Sequence, residues 1–128
     1  MVLDTSALAA VLFDEPEREE LIRRIAAAPR RLISTVTLLE SSIVIESRRG
    51  EVASRELDLL LHRAKVQMVA VDEEQAELAR VAWRRYGKGR HPAGLNFGDL
   101  FAYALARASA EELLFKGEDF TKTDVAPA

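Results

Sequence analysis

The chain contains no cysteine. That excludes disulfides, thiolate metal sites and cysteine nucleophiles, and it fits a reducing compartment. Histidine is almost as scarce. With only His62 and His91 present, a zinc site built on several imidazoles has too few ligands, and a Ser–His–Asp triad would have to use one of the two. His62 falls in LDLLLHRAK at an expected exposed helix position, and His91 in a loop. No long apolar run approaches a membrane span, and the opening MVLDTS has no basic n-region, so the cytoplasm is the expected location. The glycines form no phosphate-binding fingerprint, because GKGRHPAG does not follow a strand and open a helix in the required way. An excess of positive charge is missing too. The formal net charge is −3, so any nucleic-acid binding must rest on a local basic patch.

What remains is the composition of a folded enzyme-sized domain. The 128 residues are 48% hydrophobic and 30% charged, which suits one compact domain over residues 1–128 with a proper core. No repeat, linker or low-complexity segment interrupts it.

MVLD reads as a short buried strand stopping at Asp4, with Thr5 and Ser6 opening the helix ALAAVLF. EPEREELIRRIAAA reads as an amphipathic helix with Pro16 in its first turn. RLIS is a second strand. TVTLLESSIVIESRR, ended by Gly50, is a strongly apolar helix, and ASRELDLLLHRA is another. VQMVAV is the clearest strand in the chain. EEQAELARVAWRRYG is a helix, followed by the loop KGRHPAG and a helix from Phe97; ELLFKG supplies a last strand and EDFTKTDV a closing loop. Short strands alternating with helices predict a three-layer α/β/α domain with a mainly parallel sheet, whose ligands would bind beyond the carboxyl ends of the strands.

Four acids stand out against that frame. Asp99 lies in PAGLNFGDLFAYALARA, on a helix face shared with Ala102, Tyr103 and Ala106. Its simplest role is a capping box with Asn96. Asp4 falls at a strand's carboxyl end, where helix capping and function are equally served. Glu40 shares a face with Val36, Ile43 and Val44, so it is expected to be partly buried, either in an ion pair with a base such as Arg48 or at a functional site. Asp119 follows the last strand, with Glu118 and Asp124 as competitors for the same role. Oxygen ligands without histidine or cysteine favour a hard cation, Mg²⁺ or Mn²⁺, which also relieves repulsion among carboxylates. Such a cluster without a glycine-rich nucleotide loop points to metal-assisted phosphodiester hydrolysis.

VLDTSAL at residues 2–8, LLE at 38–40, GLNFGDLFAYALA at 94–106 and LLFKGEDFTKTDV at 113–125 together resemble the PIN-domain family. Their order and spacing most resemble VapC-type toxins of bacterial toxin–antitoxin pairs, over nearly the whole chain. The resemblance implies a Mg²⁺-dependent ribonuclease acting on particular structured RNAs and held inactive by a VapB-type antitoxin. It also implies a homodimer, with the antitoxin tail over the acidic cleft offering an arginine to the carboxylates. By position, Asp4, Glu40 and Asp99 match the family's three acidic metal-site residues, Ser6 the small hydroxyl residue beside the first, and Asn96 the polar residue ahead of the third. Many relatives carry an acid where Gly117 stands, leaving Asp119 as the substitute. Gly and Pro, which relatives place before the last strand, are replaced here by Ala110 and Glu112.

WRRYGKGRH adds Arg84, Arg85, Lys88, Arg90 and His91 near the third acid. They either complement the dipole at a helix C-terminus or hold an RNA backbone. Trp83 and Tyr86 are expected in a core or an interface. Two rival readings stay open: a Mg²⁺-binding phospho-acceptor receiver domain, which would want paired acids after the first strand, and a non-catalytic partner subunit whose acids are caps and ion pairs.

Overall fold

The computed structural model describes all 128 residues. Four short strands, β1 (Val2–Leu3), β2 (Leu32–Ser34), β3 (Gln67–Val69) and β4 (Leu113–Leu114), form one sheet in the order β3-β2-β1-β4. Every pairing is parallel, with Val2 opposite both Leu32 and Leu113. Five helices connect them: α1 (Thr5–Leu12), α2 (Arg18–Ala27), α3 (Thr35–Arg63), α4 (Glu73–Tyr86) and α5 (Phe97–Ser109).

Two residues per strand suffice because successive side chains point to opposite faces. Leu3, Ile33 and Leu114 pack with Leu8, Val11, Leu21, Ile25, Ile45 and Leu57 from α1, α2 and α3. Val2, Leu32 and Leu113 pack on the other face with Ala82, Tyr86, Leu100 and Tyr103 from α4 and α5. The expected α/β/α layering is therefore present, with one hydrophobic core on each side of a parallel sheet. No helix is long and apolar enough to cross a membrane.

Three details differ from the expectations set by the sequence. Pro16 lies ahead of the first turn of α2, since Glu17 is the N-cap and the helix begins at Arg18. The segment expected as the clearest strand, β3, is an edge strand whose Met68 faces solvent, because nothing covers it beyond β2. Glu40 does not share the core face of α3: Thr37, Ser41 and Ile45 are buried, while Ile43 is exposed. The expected break at Gly50 is real. Helical hydrogen bonding runs on around it, but its φ of 77° and ψ of −174° turn the path, a conformation essentially reserved for glycine.

The topology brings three chain segments to one sheet edge. β1 ends at Asp4, β2 leads into α3, and β4 leads into the loop holding Asp119, all at the carboxyl ends of parallel strands. The first turn of α5 closes the same corner.

Candidate active site

Asp4 is 3% exposed. Its backbone N–H donates to Leu114 O at 3.0 Å, tying it to the neighbouring strand's end. Its Oδ2 accepts from Ser6 N at 3.0 Å and from Ser6 Oγ at 2.5 Å, the N-cap of α1. Ser6 Oγ in turn accepts from Lys116 N at 3.0 Å. The hydroxyl proton is thus committed to Asp4, and Ser6 couples that acid to the start of the closing loop.

Glu40 is held differently. Thr5 Oγ1 donates to its Oε1 at 2.5 Å. With that proton used, Ser41 Oγ is the donor in the 3.0 Å contact to Thr5 Oγ1. On its other side the carboxylate lies against Gly98, where an added Cβ would fall 1.8 Å from Oε2. Only the bare Cα of glycine lets Glu40 reach the first turn of α5. No ion pair to Arg48 forms; that arginine lies over the Phe13 ring.

Asp99 completes the corner. It is the third residue of α5, 8% exposed, and the expected capping box is present. Asp99 N donates to Asn96 Oδ1 at 2.9 Å, and Asn96 N donates to Asp99 Oδ2 at 3.0 Å. Capping and function are therefore not alternatives. The box uses one carboxylate oxygen and fixes the direction of the other.

Electrostatics shows which acids share this space. Burial pushes the Asp4 carboxyl up, against the Ser6 hydrogen bonds and with a contribution from Glu40. Burial also pushes Asp99 up to about 7, opposed by the Asn96 backbone and reinforced by the charges of Asp4, Asp119 and Glu40. None of these four acids belongs to any ion pair of the chain. No three of them stand at the spacing of an assembled cation site, the separation that like charges favour.

Among the competitors for the fourth position, Asp124 is engaged elsewhere. It accepts from Tyr103 Oη at 2.5 Å and faces Arg85 and Arg107 at 3.7 and 3.8 Å. Burial pushes its carboxyl up, but these three partners outweigh it and hold it below the usual range. Glu118 Oε2 takes only a 3.4 Å contact from Thr121. Asp119 is the member of the trio whose charge reaches Asp99. Gly117 has a φ of 101° that disfavours any side chain.

The basic segment is less open than its sequence suggests. Arg85 faces Asp124 and lies 5.0 Å over the Tyr86 ring, while Arg90 lies 4.6 Å over Trp83 and donates to Arg84 O. Arg84 and Lys88 have no carboxylate partner within 4.0 Å and remain exposed. Tyr86 is core, as expected, whereas Trp83 is about half exposed. Asn96 is exposed with its carbonyl engaged in the cap.

Three residues of the corner do not stand out in the sequence: Thr5, which looks like a helix opener and nothing more, Ser41 and Gly98. The one available signal was Gly98 itself, a helix-weakening residue in a first turn that needs no positive φ.

An oxygen-only acid corner without a cationic partner, beyond the carboxyl ends of a parallel sheet, is the feature that the comparisons with known proteins bear on. The PIN domain family model matches residues 1–126, and the chain belongs to the PIN-domain family. It is 63% identical over 126 residues to the ribonuclease VapC of Mycolicibacterium smegmatis, covering 98% of each chain. Among solved structures, it resembles Mycobacterium tuberculosis VapC20, described as a sarcin–ricin-loop-cleaving toxin, with a TM-score of 0.79 at 19% identity, covering 99% of this chain and 97% of that one. A toxin–antitoxin complex from Klebsiella pneumoniae matches with a TM-score of 0.72 at 18% identity, covering 99% of this chain and 95% of that one.

Two predictions follow the geometry. Gly98→Ala drives Glu40 away from Asp99, and calorimetric titration with Mn²⁺ should show affinity reduced roughly 10- to 100-fold, as when a ligand is deprived of its support. The second concerns pH. A carboxyl raised to about 7 in the fold, from 3.8, binds its proton more tightly folded than unfolded. Stability from this group is therefore intact below pH ~4, is lost as pH rises towards 7, and is flat above. In EDTA, the melting temperature of the native chain relative to Asp99→Asn should fall across that window. Asn can still accept from Asn96 N, so the variant should keep the cap and stay folded, and a melting-temperature difference that does not change with pH would refute the raised carboxyl.

Proposed function

We propose that this protein is an endoribonuclease toxin of a VapBC-type toxin–antitoxin pair, hydrolysing RNA phosphodiesters with Mg²⁺ as its working ion and Mn²⁺ able to substitute. The observation that carries the proposal is the Asp4–Glu40–Asp99 corner, two of whose acids are buried without a cationic partner. Burying carboxylates without a counter-charge is costly, and an all-oxygen donor set suits a hard divalent cation. The high identity to a ribonuclease VapC and the match to the PIN domain support the reaction class.

Asp4, Glu40, Asp99 and Asp119 are assigned to the metal. When bound, such an ion supplies charge against the phosphate and lowers the pKa of a water. The chain's own groups do the rest. Ser6 holds Asp4 and the closing loop in register, Thr5 and Gly98 hold Glu40, and Asn96 aims Asp99. Arg84 and Lys88 are free to meet RNA phosphates, and Arg85 and Arg90, exposed beside them in the chain, add to the local positive charge. Residues 1–128 act as one nuclease domain in the cytoplasm. A receiver domain fits less well, because Asp4 is followed by Thr5 and Ser6 instead of a second acid.

The regulatory partner is a VapB-type antitoxin whose tail offers an arginine to the acidic cleft. The second partner is another copy of the chain. Leu39, Ile43 and Phe97 are 61%, 57% and 75% exposed and, with Val36 and Val44, border a shallow apolar hollow beside Glu40. A patch of this kind marks an interface. Light scattering at micromolar concentration should give a dimer, and Ile43→Asp should shift it to monomer; a monomeric native chain refutes this face.

Cleavage of one RNA substrate at saturating Mg²⁺ tests the site. Asp4→Asn and Asp99→Asn should lower the rate by roughly 100-fold or more, and EDTA should abolish it. Asp119→Asn should fall strongly but less, since water can replace a peripheral ligand. Glu118→Gln should matter little. A dead Glu118→Gln beside an active Asp119→Asn would assign the fourth role to the wrong acid.

A further inference from the structure

The seam between α1 and α3 has two polar ends. At one, Thr5 meets Glu40 and Ser41. At the other, Phe13, the C-cap of α1, lies beneath two arginines of α3, with Arg48 Cζ 5.1 Å and Arg49 Cζ 5.3 Å from its ring centroid. Consecutive helix residues point about 100° apart, so two neighbouring arginines converging on one ring is not a default arrangement.

Neither guanidinium has a carboxylate within 4.0 Å. Of the acids flanking these positions in sequence, Asp14 faces Arg18 at 3.7 Å, Glu15 and Glu17 hold Lys116 and Glu51 faces Arg55 at 3.5 Å, while Glu46, one turn before Arg49 on the same helix, forms no ion pair with it. Holding two like charges together without a counter-ion is unfavourable, and the face of an aromatic ring offsets only part of that. A phosphate offset would be larger, because its oxygens accept the guanidinium forks in pairs.

We propose that Arg48 and Arg49, oriented by Phe13, form a phosphate-binding point that holds the RNA backbone at the end of the α1–α3 seam away from the carboxylates. The proposal rests on the ribonuclease reading and extends it. Eight residues of helix separate Arg48 from Glu40, an axial distance of about 12 Å at 1.5 Å per residue, or a few nucleotides of strand. The placement also answers a need set by composition. A chain of net charge −3 with an acid-lined centre must grip a polyanion at a distance from the site of cleavage.

The experiment measures binding of a labelled single-stranded RNA oligonucleotide by anisotropy in EDTA, over a series of salt concentrations, with cleavage of the same RNA in Mg²⁺ followed in parallel. Replacing both residues, Arg48→Gln with Arg49→Gln, should weaken binding and reduce the slope of log K against log salt by about 0.7 for each phosphate no longer neutralised. Replacing both with lysine should keep the slope while giving up part of the affinity. Arg23→Gln with Arg24→Gln, whose ion pairs both go to Glu20 while Arg24 also donates to Ala128 O, should leave the slope unchanged. If the double glutamine variant binds with native slope and affinity while the native chain cleaves RNA, the proposal falls and the arginines only complement the end of a helical segment. If the native chain neither binds nor cleaves RNA, the ribonuclease reading fails first and takes this site with it.

Discussion

The structure turns on one electrostatic constraint: carboxylates from distant parts of the chain are brought to the carboxyl edge of a small parallel sheet without a cationic side chain to neutralise them. Asp4 and Asp99 are buried there, and burial raises both. A chain optimised for stability alone would place an arginine among them or replace them with apolar residues. This one has fourteen arginines and puts none within ion-pair distance of any of the four acids. The unfavourable energy is kept in the folded state, and it raises the affinity of the corner for positive charge, a proton included.

The surrounding fold serves to keep that arrangement from relaxing. Asp4 cannot swing away because Ser6 holds it, and Ser6 is itself tied to Lys116 on the far side of the sheet edge. Glu40 is longer and more mobile by nature, and it is fixed between a hydroxyl and a glycine. The loop carrying Asp119 is secured at its two ends by different means. Phe120 is buried against Phe115 at 5.1 Å, and Asp124 is bound by Tyr103, one turn beyond Asp99 on the same helix. The buried tyrosine hydroxyl is pushed up by burial and by Asp124, so it stays a donor and the tie persists across the working pH range.

Much of this was legible in the residues. Strand and helix alternation gave the layers, because apolar pairs such as Val2–Leu3 and Leu113–Leu114 can bury both faces only in a sheet covered on both sides. Asp4 and Asp99 could be found because an acid at a strand end, or within an Ala-rich helix, breaks the local pattern. Glu40 was found for a partly wrong reason. Its neighbours Ile43 and Val44 look like core residues on a helical wheel, yet Ile43 faces outward, since periodicity reports an apolar face without saying what covers it. Thr5 was not legible at all, and Gly98 only as a helix-weakening residue without an evident reason: their role depends on where Glu40 lies, and that is a tertiary fact. The partners of Arg85 and Arg90 were not legible either, because the contact of Arg85 with Asp124 and the stacking of Arg90 on Trp83 are set by the fold.

The apolar hollow beside Glu40 and the acid corner share a wall, since Glu40 and Gly98 border both. Covering the exposed Leu39, Ile43 and Phe97 would remove water from one side of Glu40 and lower the local dielectric. That strengthens repulsion among the acids and, equally, their attraction for a cation. Assembly on this face and metal binding at the corner, as proposed, would then be linked: whatever covered the patch would raise the cost of the metal-free state. Reciprocity requires that the cation favour the covered form by the same factor. On the proposed reading, a surface of this kind would act on the chemistry through Glu40, the carboxylate that borders it.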